Sequence, residues 1–444
     1  MTAPNIVFIL ADDLGWADLG VYGATDFKTP HLDRLAAQGV RFNQAYANSA
    51  VCSATRIALI TGRYQYRLRA GLEEPLARYG GQLGLPSEHP TLPSLLKDAG
   101  YDTALIGKWH LGQPPAYGPQ RSGYDYFFGN HHGAIDYFTH KPGVGEQFGR
   151  DLWQGSEPVE RTGYYTYILG DEATRYLHER KSSDKPFFLS LHFTAPHWPW
   201  EGPNDEHVAH SIKDLFHYDG GSLKKYGEIV EALDKAVGQV LQALDDSGQA
   251  DNTIVIFTSD NGGERFSKTW PFTGQKTELL EGGIRVPTLL RWSARIQPQV
   301  QEQVTATFDW LPTLLAAAGA RPHPDYPSDG QNILPILEGQ LADDAAHTDR
   351  TLFWRYNSQS QRAVRQGPWK YLQINDNEFL FNVVEDARER ANLKHHQPEI
   401  FARLRQQWEQ WDQQLLPAAE AIYSHGLSPD IQADRYVPAR LSQS

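Results

Sequence analysis

Four short, almost wholly apolar segments recur along the chain and constrain its fold more than any other feature. They cover residues 5–11, 103–107, 186–193 and 253–258. A strand that is apolar on both sides must be covered on both faces, which is typical of parallel sheets in α/β proteins. Residues 30–39, 92–100 and 223–247 carry apolar side chains at helical spacing between these segments. The sequence therefore predicts an α/β fold, with a large mixed, mostly parallel sheet sandwiched by helices.

The pattern changes after about residue 339. Segments 351–356, 361–365, 369–373 and 379–382 alternate like antiparallel strands, and residues 399–415 have the spacing of one amphipathic helix. A chain of 444 residues is long enough for one large and one small domain. We therefore predict a large domain over residues 1–340 and a small α+β domain, with an antiparallel sheet and a helix, over residues 341–444.

The charge and the N-terminal sequence bear on partners and compartment. The formal net charge of −13 argues against binding to nucleic acid or to an acidic membrane surface. No apolar run approaches the roughly 20 residues of a membrane span. The first predicted strand begins at residue 5, which leaves no room for a signal peptide. We expect a cytoplasmic protein, or a periplasmic or secreted one if a signal peptide has been removed.

Polar side chains follow each of the four apolar segments. They are Asp12 and Asp13 after the first, Lys108 and His110 after the second, His197 after the third, and Asp260 and Asn261 after the fourth. Ligands of open α/β sheets collect at the carboxyl ends of the strands, so these groups are expected to converge. Carboxylate and amide oxygens are the donors that Ca²⁺ or Mg²⁺ prefers. Each acidic pair alone is equally typical of a turn, so the metal hypothesis depends on the convergence.

Cys52 is the only cysteine, which excludes an intramolecular disulfide. The segment 57–63 reads as a short helix ending near Gly62, so Cys52 is expected at or just before a helix N-terminus. Free amides and the helix dipole favour an anion there. The alternative is a buried, inert cysteine.

The segment 52–63, CSATRIALITGR, resembles the signature of type I sulfatases, in which C-x-P-x-R or C-x-A-x-R begins a helix that ends in L-T-G-R. Further segments match other blocks of that family in order: NIVFILADD at 5–13, GKWHLG at 107–112, SDNG at 259–262 and GQKTELLEGGIRVP at 274–287. EFLFN at 378–382 is similar to the family's small domain. The resemblance implies an alkaline phosphatase-like fold and a sulfuric ester hydrolase.

The resemblance also implies a role for each matching residue. Cys52 would be oxidised to formylglycine, whose hydrate attacks sulfur and then releases sulfate by reforming the aldehyde. Asp12, Asp13, Asp260 and Asn261, together with Cys52, would hold a divalent cation, Ca²⁺ or Mg²⁺. Lys108 and Lys276 would bind the sulfate oxygens, Arg56 would hold the hydrate, His110 would take its proton, and His197 would be the general acid.

The substrate-binding residues are less constrained. Residues 129–136 and nearby tryptophans, Trp153, Trp198, Trp200 and Trp270, are candidates for a rim that binds a sugar. From these we select His131, His132, Asp136 and Trp198 as substrate-binding residues, and we expect a small-molecule or oligosaccharide sulfate ester, more readily a sugar than a simple phenol. The alternative is that the aromatic side chains only pack long loops.

One signature position departs from the family's commonest form. Ala54 stands where proline is usual. The oxygen-dependent formylglycine-generating maturase is associated mainly with the proline form, whereas the radical-based bacterial maturase tolerates alanine. Conversion of Cys52 is therefore expected to depend on the maturase that the host supplies.

Two other functions remain compatible with the residues. A phosphonate monoester or phosphodiester hydrolase of the same superfamily would use the same site on phosphorus. A non-catalytic protein that binds sulfated glycans would result if Cys52 stayed a thiol. Binding alone does not require a nucleophile, so the second function is disfavoured by the full set of Cys52, Arg56, Lys108, His110, His197 and Lys276.

Overall fold

The computed structural model describes residues 3–72, 76, 82–340, 350–418 and 432–433. Its strands are β1 (Asn5–Asp12), β2 (Val40–Phe42), β3 (Ala45–Tyr46), β4 (Asp102–Lys108), β5 (Tyr126–Asn130), β6 (Trp153–Gln154), β7 (Glu157–Pro158), β8 (Phe187–Pro196), β9 (Thr253–Ser259), β10 (Thr288–Arg291), β11 (Gln299–Gln301), β12 (Thr305–Ala306), β13 (Thr351–Tyr356), β14 (Gln361–Gln366), β15 (Trp369–Ile374) and β16 (Asn377–Asn382). Its helices are α1 (Pro30–Ala37), α2 (Cys52–Thr61), α3 (Leu92–Asp98), α4 (Tyr165–Arg180), α5 (Glu206–Ala209), α6 (Leu223–Ser247), α7 (Glu281–Ile284), α8 (Trp310–Ala318), α9 (Leu334–Leu337) and α10 (Pro398–Asp412).

A large sheet runs in the order β11-β2-β10-β9-β1-β8-β4-β5-β6-β7. Its central strands, β9, β1, β8, β4 and β5, are all parallel to their neighbours in that group. Antiparallel pairing appears only toward the sides, where β10 pairs with β9 and β2, and β6 pairs with β5. This arrangement confirms the predicted mixed, mostly parallel sheet.

Both faces of the sheet are covered, as the unbroken apolarity of β1 predicts. Val7 and Ile9 belong to one core, which α1, α4 and α6 complete. Phe8 and Leu10 belong to another core, which includes side chains of α2, α3 and α8. Because successive side chains of a strand point to opposite faces, β1 contributes to both cores at once.

The smaller sheet is antiparallel, in the order β13-β14-β15-β16, and α10 packs against it. Its core is continuous with part of the large unit: the indole of Trp354 donates a 2.8 Å hydrogen bond to the carbonyl oxygen of Ala47. The boundary at residues 340 and 341 stays a prediction, and residues 341–349, 419–431 and 434–444 of the predicted small domain lie outside the described residues.

Some elements depart from the expectations. Residues 113–161 have no clear period in the sequence, yet they contain β5, whose Phe127 and Phe128 are fully buried in the large sheet. Gly248 is the left-handed cap of α6, with φ 72°, as its position predicts. The sequence pattern also predicts Gly39 as the cap of α1, but α1 ends at Ala37 and its cap is Gln38. Among the described residues, no helix has the length and apolarity needed to cross a membrane.

Candidate active site

The polar residues that follow the central strands meet at one end of the sheet. Asp12 is the last residue of β1, and the chain turns at Asp13, which has φ 65°. Asp260 and Asn261 follow β9 directly. The backbone N–H of Asp13 donates to Oδ1 of Asp260 at 3.3 Å, and Nδ2 of Asn261 donates to Oδ1 of Asp13 at 2.8 Å. The predicted convergence at the carboxyl ends of β1 and β9 is therefore present in the structure.

Cys52 is the first residue of α2, so it lies at a helix N-terminus as its surroundings in the sequence predict. One ligand atom from each of Cys52, Asp12 and Asp260 lies within 4.8 Å of the others. Burial raises the pKa of the Cys52 thiol, although Lys108 and Lys276 act in the opposite direction. A buried thiol that stays protonated is a poor nucleophile, so this cysteine is not set up to react as a thiolate.

Three cationic side chains lie around the cysteine, two of them buried and Lys276 partly exposed, and each is paired with a carboxylate. Nζ of Lys108 lies 2.5 Å from Oδ2 of Asp12, and Nζ of Lys276 lies 2.7 Å from Oδ2 of Asp13. Nη2 of Arg56 lies 2.8 Å from Oδ2 of Asp260. The three cations and three carboxylates leave this cluster without a formal excess of either sign. An anionic substrate is expected to bind in a pocket with a net positive charge. This cluster would have one only if a further cation were bound.

The oxygen donors fit a divalent metal ion. Oδ1 of Asp12 and Oδ1 of Asn261 are buried and have no hydrogen-bond partner among the described residues. Burial raises the pKa of Asp13 to about 7 and that of Asp260 to about 6, and neighbouring carboxylates add to both shifts. Buried oxygens that lack a donor, in a cluster of like charges, are stabilised by a hard cation such as Ca²⁺ or Mg²⁺.

His197 lies beside Asp13 at this cluster. Its Nε2 is 3.6 Å from Oδ2 of Asp13. Its Nδ1 is 2.8 Å from the carbonyl oxygen of Trp198, which can only accept, so Nδ1 carries a hydrogen and Nε2 faces the site. Burial, together with Lys276 and Lys108, holds the pKa of His197 well below its usual value. An anion that binds between these cations would oppose their effect on the imidazole.

His110 lies two residues after Lys108, a spacing that predicts both side chains on the same side of an extended segment. The extended conformation ends at Lys108, because His110 has φ 58°. Its ring is nevertheless close enough to Lys108, Arg56 and His197 for their charges, after burial, to hold its pKa well below the usual value. Nδ1 of His110 has no hydrogen-bond partner among the described residues.

His192 belongs to the site but was not predicted. It lies within β8, and its Nδ1 is 3.4 Å from Nη1 of Arg56 and 3.3 Å from the carbonyl oxygen of Lys108. The same Arg56 nitrogen donates to the Lys108 carbonyl at 3.2 Å. Nδ1 of His192 can accept from Arg56 or donate to the Lys108 carbonyl, but not both at once, so the direct bond to that carbonyl is what fixes Arg56 against β4. The sequence does contain an indication that this residue belongs to the site, because His192 is a histidine inside a mostly apolar predicted strand.

The four candidate substrate-binding residues divide into two groups. Asp136 is buried, and its Oδ1 accepts hydrogen bonds from the backbone N–H groups of Phe138 and Thr139. His131 is also buried, with its ring packed between Phe127 and Trp153 at centroid distances of 5.0 and 5.3 Å. Both side chains thus have structural partners, and their role in substrate binding stays a prediction.

His132 and Trp198 remain at the surface. Nδ1 of His132 lies 2.7 Å from Oδ2 of the buried Asp151, which fixes the ring at the edge of the loop. The ring of Trp198 packs against His197 at a centroid distance of 4.0 Å, and Nζ of Lys276 lies 6.0 Å from its centroid. Trp198 is therefore next to the site, in contact with the predicted general acid.

Comparison with known proteins gives consistent matches. The sequence model of the family described as Sulfatase matches residues 4–320. The chain is 35% identical over 391 residues to N-acetylgalactosamine-6-sulfatase of Canis lupus familiaris, spanning 83% of this chain and 71% of that protein. It is 30% identical to N-acetylgalactosamine-6-O-sulfatase of Bacteroides thetaiotaomicron, spanning 90% of this chain and 91% of that protein. The crystal structure of Ps i-CgsB in complex with k-i-k-neocarrahexaose superposes with a TM-score of 0.86 at 29% identity, covering 95% of each chain.

Proposed function

The chain belongs to the sulfatase family, whose members are sulfuric ester hydrolases, and from this premise we propose that it removes sulfate from a carbohydrate by means of a formylglycine formed from Cys52. The proposal includes a divalent cation, Ca²⁺ or Mg²⁺, held by Asp12, Asp13, Asp260 and Asn261, with the side chain of residue 52 beside it.

The placement of Cys52 carries this proposal. The cysteine is at the N-terminus of α2, within reach of two predicted metal ligands, Asp12 and Asp260. Its raised pKa argues against direct attack by the thiolate. A cysteine in this position whose thiol is a poor nucleophile is well explained if it is first oxidised to formylglycine.

Formylglycine and the divalent cation would supply a nucleophile and a positive charge that the unmodified side chains do not provide. A formylglycine at residue 52 would, once hydrated, supply a nucleophilic hydroxyl and a means of releasing sulfate without attack by water. A bound divalent cation supplies Lewis acidity and the excess positive charge that the cluster itself does not have.

The protein's own residues would then bind and orient the ester. Lys108 and Lys276 face the site while they are paired with Asp12 and Asp13, so both can turn an N–H toward a sulfate oxygen. Arg56, fixed by Asp260 and the carbonyl oxygen of Lys108, would hold the residue 52 side chain in place. Such fixed donors in a buried site need little reorganisation during the reaction.

His197 would protonate the leaving oxygen. Its Nε2 faces the site, and the negative charge of a bound sulfate ester would oppose the effect of Lys276 and Lys108 on its pKa. His110, whose ring is buried in the same cluster, would accept the proton that is lost when sulfate is released.

The printed names of similar proteins support a carbohydrate substrate. Two relatives are named for N-acetylgalactosamine 6-sulfate, and one similar structure was solved with neocarrahexaose. The test is a panel of substrates: N-acetylgalactosamine 6-sulfate, a carrageenan hexasaccharide, 4-nitrophenyl sulfate and phenyl phosphonate, with sulfate or phenol release measured for each. Faster turnover of a sulfated sugar than of 4-nitrophenyl sulfate supports the proposal. Turnover of aryl sulfates alone contradicts the carbohydrate assignment, and a preference for the phosphonate contradicts the choice of sulfur.

A further inference from the structure

A group of three aromatic side chains, of which the outer two are exposed and Trp198 is partly buried, adjoins the candidate active site. Trp198 packs on the His197 ring, Phe216 packs on Trp198 at 4.4 Å, and Tyr218 stacks on Phe216 at 5.3 Å with the two planes 5° apart. Phe216 is 37% exposed and Tyr218 is 45% exposed. We call Trp198, Phe216 and Tyr218 the aromatic ledge.

The positions of the ledge residues are fixed by hydrogen bonds to two charged side chains, Glu264 and Arg265. Oε2 of Glu264 accepts a 2.9 Å hydrogen bond from the indole Nε1 of Trp198. Oε1 of Glu264 accepts from Nε of Arg265 at 3.1 Å. The other nitrogens of Arg265 donate to the carbonyl oxygens of Phe216 and His217, at 2.6 and 3.1 Å. One ion pair thus fixes both the strand-end residue Trp198 and the loop that carries Phe216.

Arg265 also contacts the rings themselves. Its guanidinium carbon lies 4.9 Å from the centroid of Tyr218 and 4.9 Å from that of Trp200. Exposed apolar rings are unfavourable in water, and a protein that keeps them in fixed positions has them ready for a contact. Rings held in advance lose little conformational freedom when a ligand binds.

We propose that the aromatic ledge binds the sugar units of an oligosaccharide substrate on the leaving-group side of the ester. Because His197 is the proposed acid for the leaving oxygen, Trp198 would contact the sugar that bears the sulfate. Phe216 and Tyr218, farther along the ledge, would contact the next sugar unit. This inference rests on the proposed function, since it assumes a sulfated carbohydrate.

The chemistry of the ledge suits this ligand. Sugar rings present C–H groups that pack against aromatic carbon, whose π-face is negative. The hydroxyl of Tyr218 can donate to or accept from sugar hydroxyl groups. A fully apolar partner would gain nothing from that hydroxyl or from the neighbouring charged groups.

The test compares a short and a long substrate in the intact enzyme. Sulfate release is measured from N-acetylgalactosamine 6-sulfate and from a tetrasaccharide that ends in the same sulfated sugar, or from the corresponding pair of carrageenan sugars if those are the ones that the wild type cleaves. For Phe216→Ala and Tyr218→Ala, the ratio of the tetrasaccharide KM to the monosaccharide KM is expected to rise about fivefold over the wild-type ratio. Tyr218→Phe keeps the aromatic ring, so its KM ratio should stay close to the wild-type ratio.

Val300→Ala is the matched control, because Val300 is an apolar side chain, 51% exposed, on the edge strand β11. It should leave the KM ratio at the wild-type value. An unchanged ratio in both ledge variants overturns the inference, as does an equal rise in both KM values. A loss of self-association in light scattering, with the ratio unchanged, would identify the ledge as a contact between copies of the chain and would equally overturn it. If the wild type releases sulfate from no sugar, the proposed function itself has failed, which is seen before any variant is made.

Discussion

Nζ of Lys370 lies 2.9 Å from Oε1 of Glu281, and both side chains are fully buried. The pair joins β15 of the small sheet to α7 of the large unit, five residues after Lys276. Glu389 is the second partner of Lys370, also at 2.9 Å, and its Oε2 accepts from the backbone N–H of Glu281. The small sheet therefore anchors the segment that carries one of the cations of the site.

Removing the cation from this buried group is expected to destabilise the protein strongly. Lys370→Met removes the cation that Glu281 and Glu389 share, and among the described residues only Glu281 keeps other side-chain partners, Arg285 and Tyr46. We expect a loss of about 3–5 kcal/mol in the free energy of unfolding. Urea denaturation measures it. Lys97→Met, which breaks the exposed pair with Asp125, should cost less than about 1 kcal/mol and serves as the control. An equal effect of the two substitutions would contradict the prediction.

Glu201 is expected to make the stability fall as the pH rises. Burial, with Asp136 and Asp205 nearby, raises the pKa of Glu201 from 4.5 to about 9. A group whose pKa is raised by folding makes its full contribution to the free energy of unfolding at a pH below its unfolded-state pKa. That contribution is lost as the pH rises toward about 9. In the wild type, the loss is expected to approach ~1.4 kcal/mol for each pH unit in this window.

The neutral variant Glu201→Gln isolates this contribution. Urea denaturation of wild type and variant is compared at about pH 5 and about pH 8.5. The free energy of unfolding of the variant relative to wild type should increase at the higher pH. Glu206→Gln, an exposed neighbour on α5, should show no such trend. A difference between Glu201→Gln and wild type that is independent of pH would mean that Glu201 ionises normally.

The central sheet was predictable because its strands are buried on both faces, so their apolar runs are unbroken. The position of Cys52 was predictable as well, since Gly62 marks the end of α2 and φ 65° at that glycine confirms the cap. The strand β5 was missed, because its short sequence lies between loops rich in glycine and aromatic residues. The burial of His131 and Asp136 was not predictable either. It depends on the ring packing of His131 and on the loop amides that Asp136 accepts from, which only the folded chain brings together.

The general acid assignment predicts an effect that depends on the leaving group. His197→Ala should lower kcat about 10²–10⁴-fold on a sugar sulfate, whose alkoxide leaves poorly without a proton. On 4-nitrophenyl sulfate, whose phenolate leaves readily, the same variant should lose far less. Steady-state rates on the two substrates provide the comparison. Similar losses on both would assign His197 to binding instead.

The metal assignment predicts loss of both activity and bound ion. Asp13→Asn removes one negative oxygen from the predicted donor set, and it should weaken binding of Ca²⁺ or Mg²⁺ in calorimetry and reduce sulfate release. Chelation of the wild type should have the same effect on activity and should be reversed by adding back the ion. Asp171→Asn, on the exposed side of α4, should change neither quantity. Full activity and metal content in Asp13→Asn would contradict the proposed site.

The most direct test of the account is the mass of the peptide that contains Cys52, measured in active protein and followed by sulfate release from Cys52→Ala and Cys52→Ser. Because Ala54 makes conversion depend on the maturase, the protein is produced with and without a co-expressed radical-based maturase. We expect a peptide lighter than the thiol form by about 18 Da, present in proportion to the activity of each preparation, and we expect both variants to be inactive. An unmodified thiol in fully active protein would contradict it.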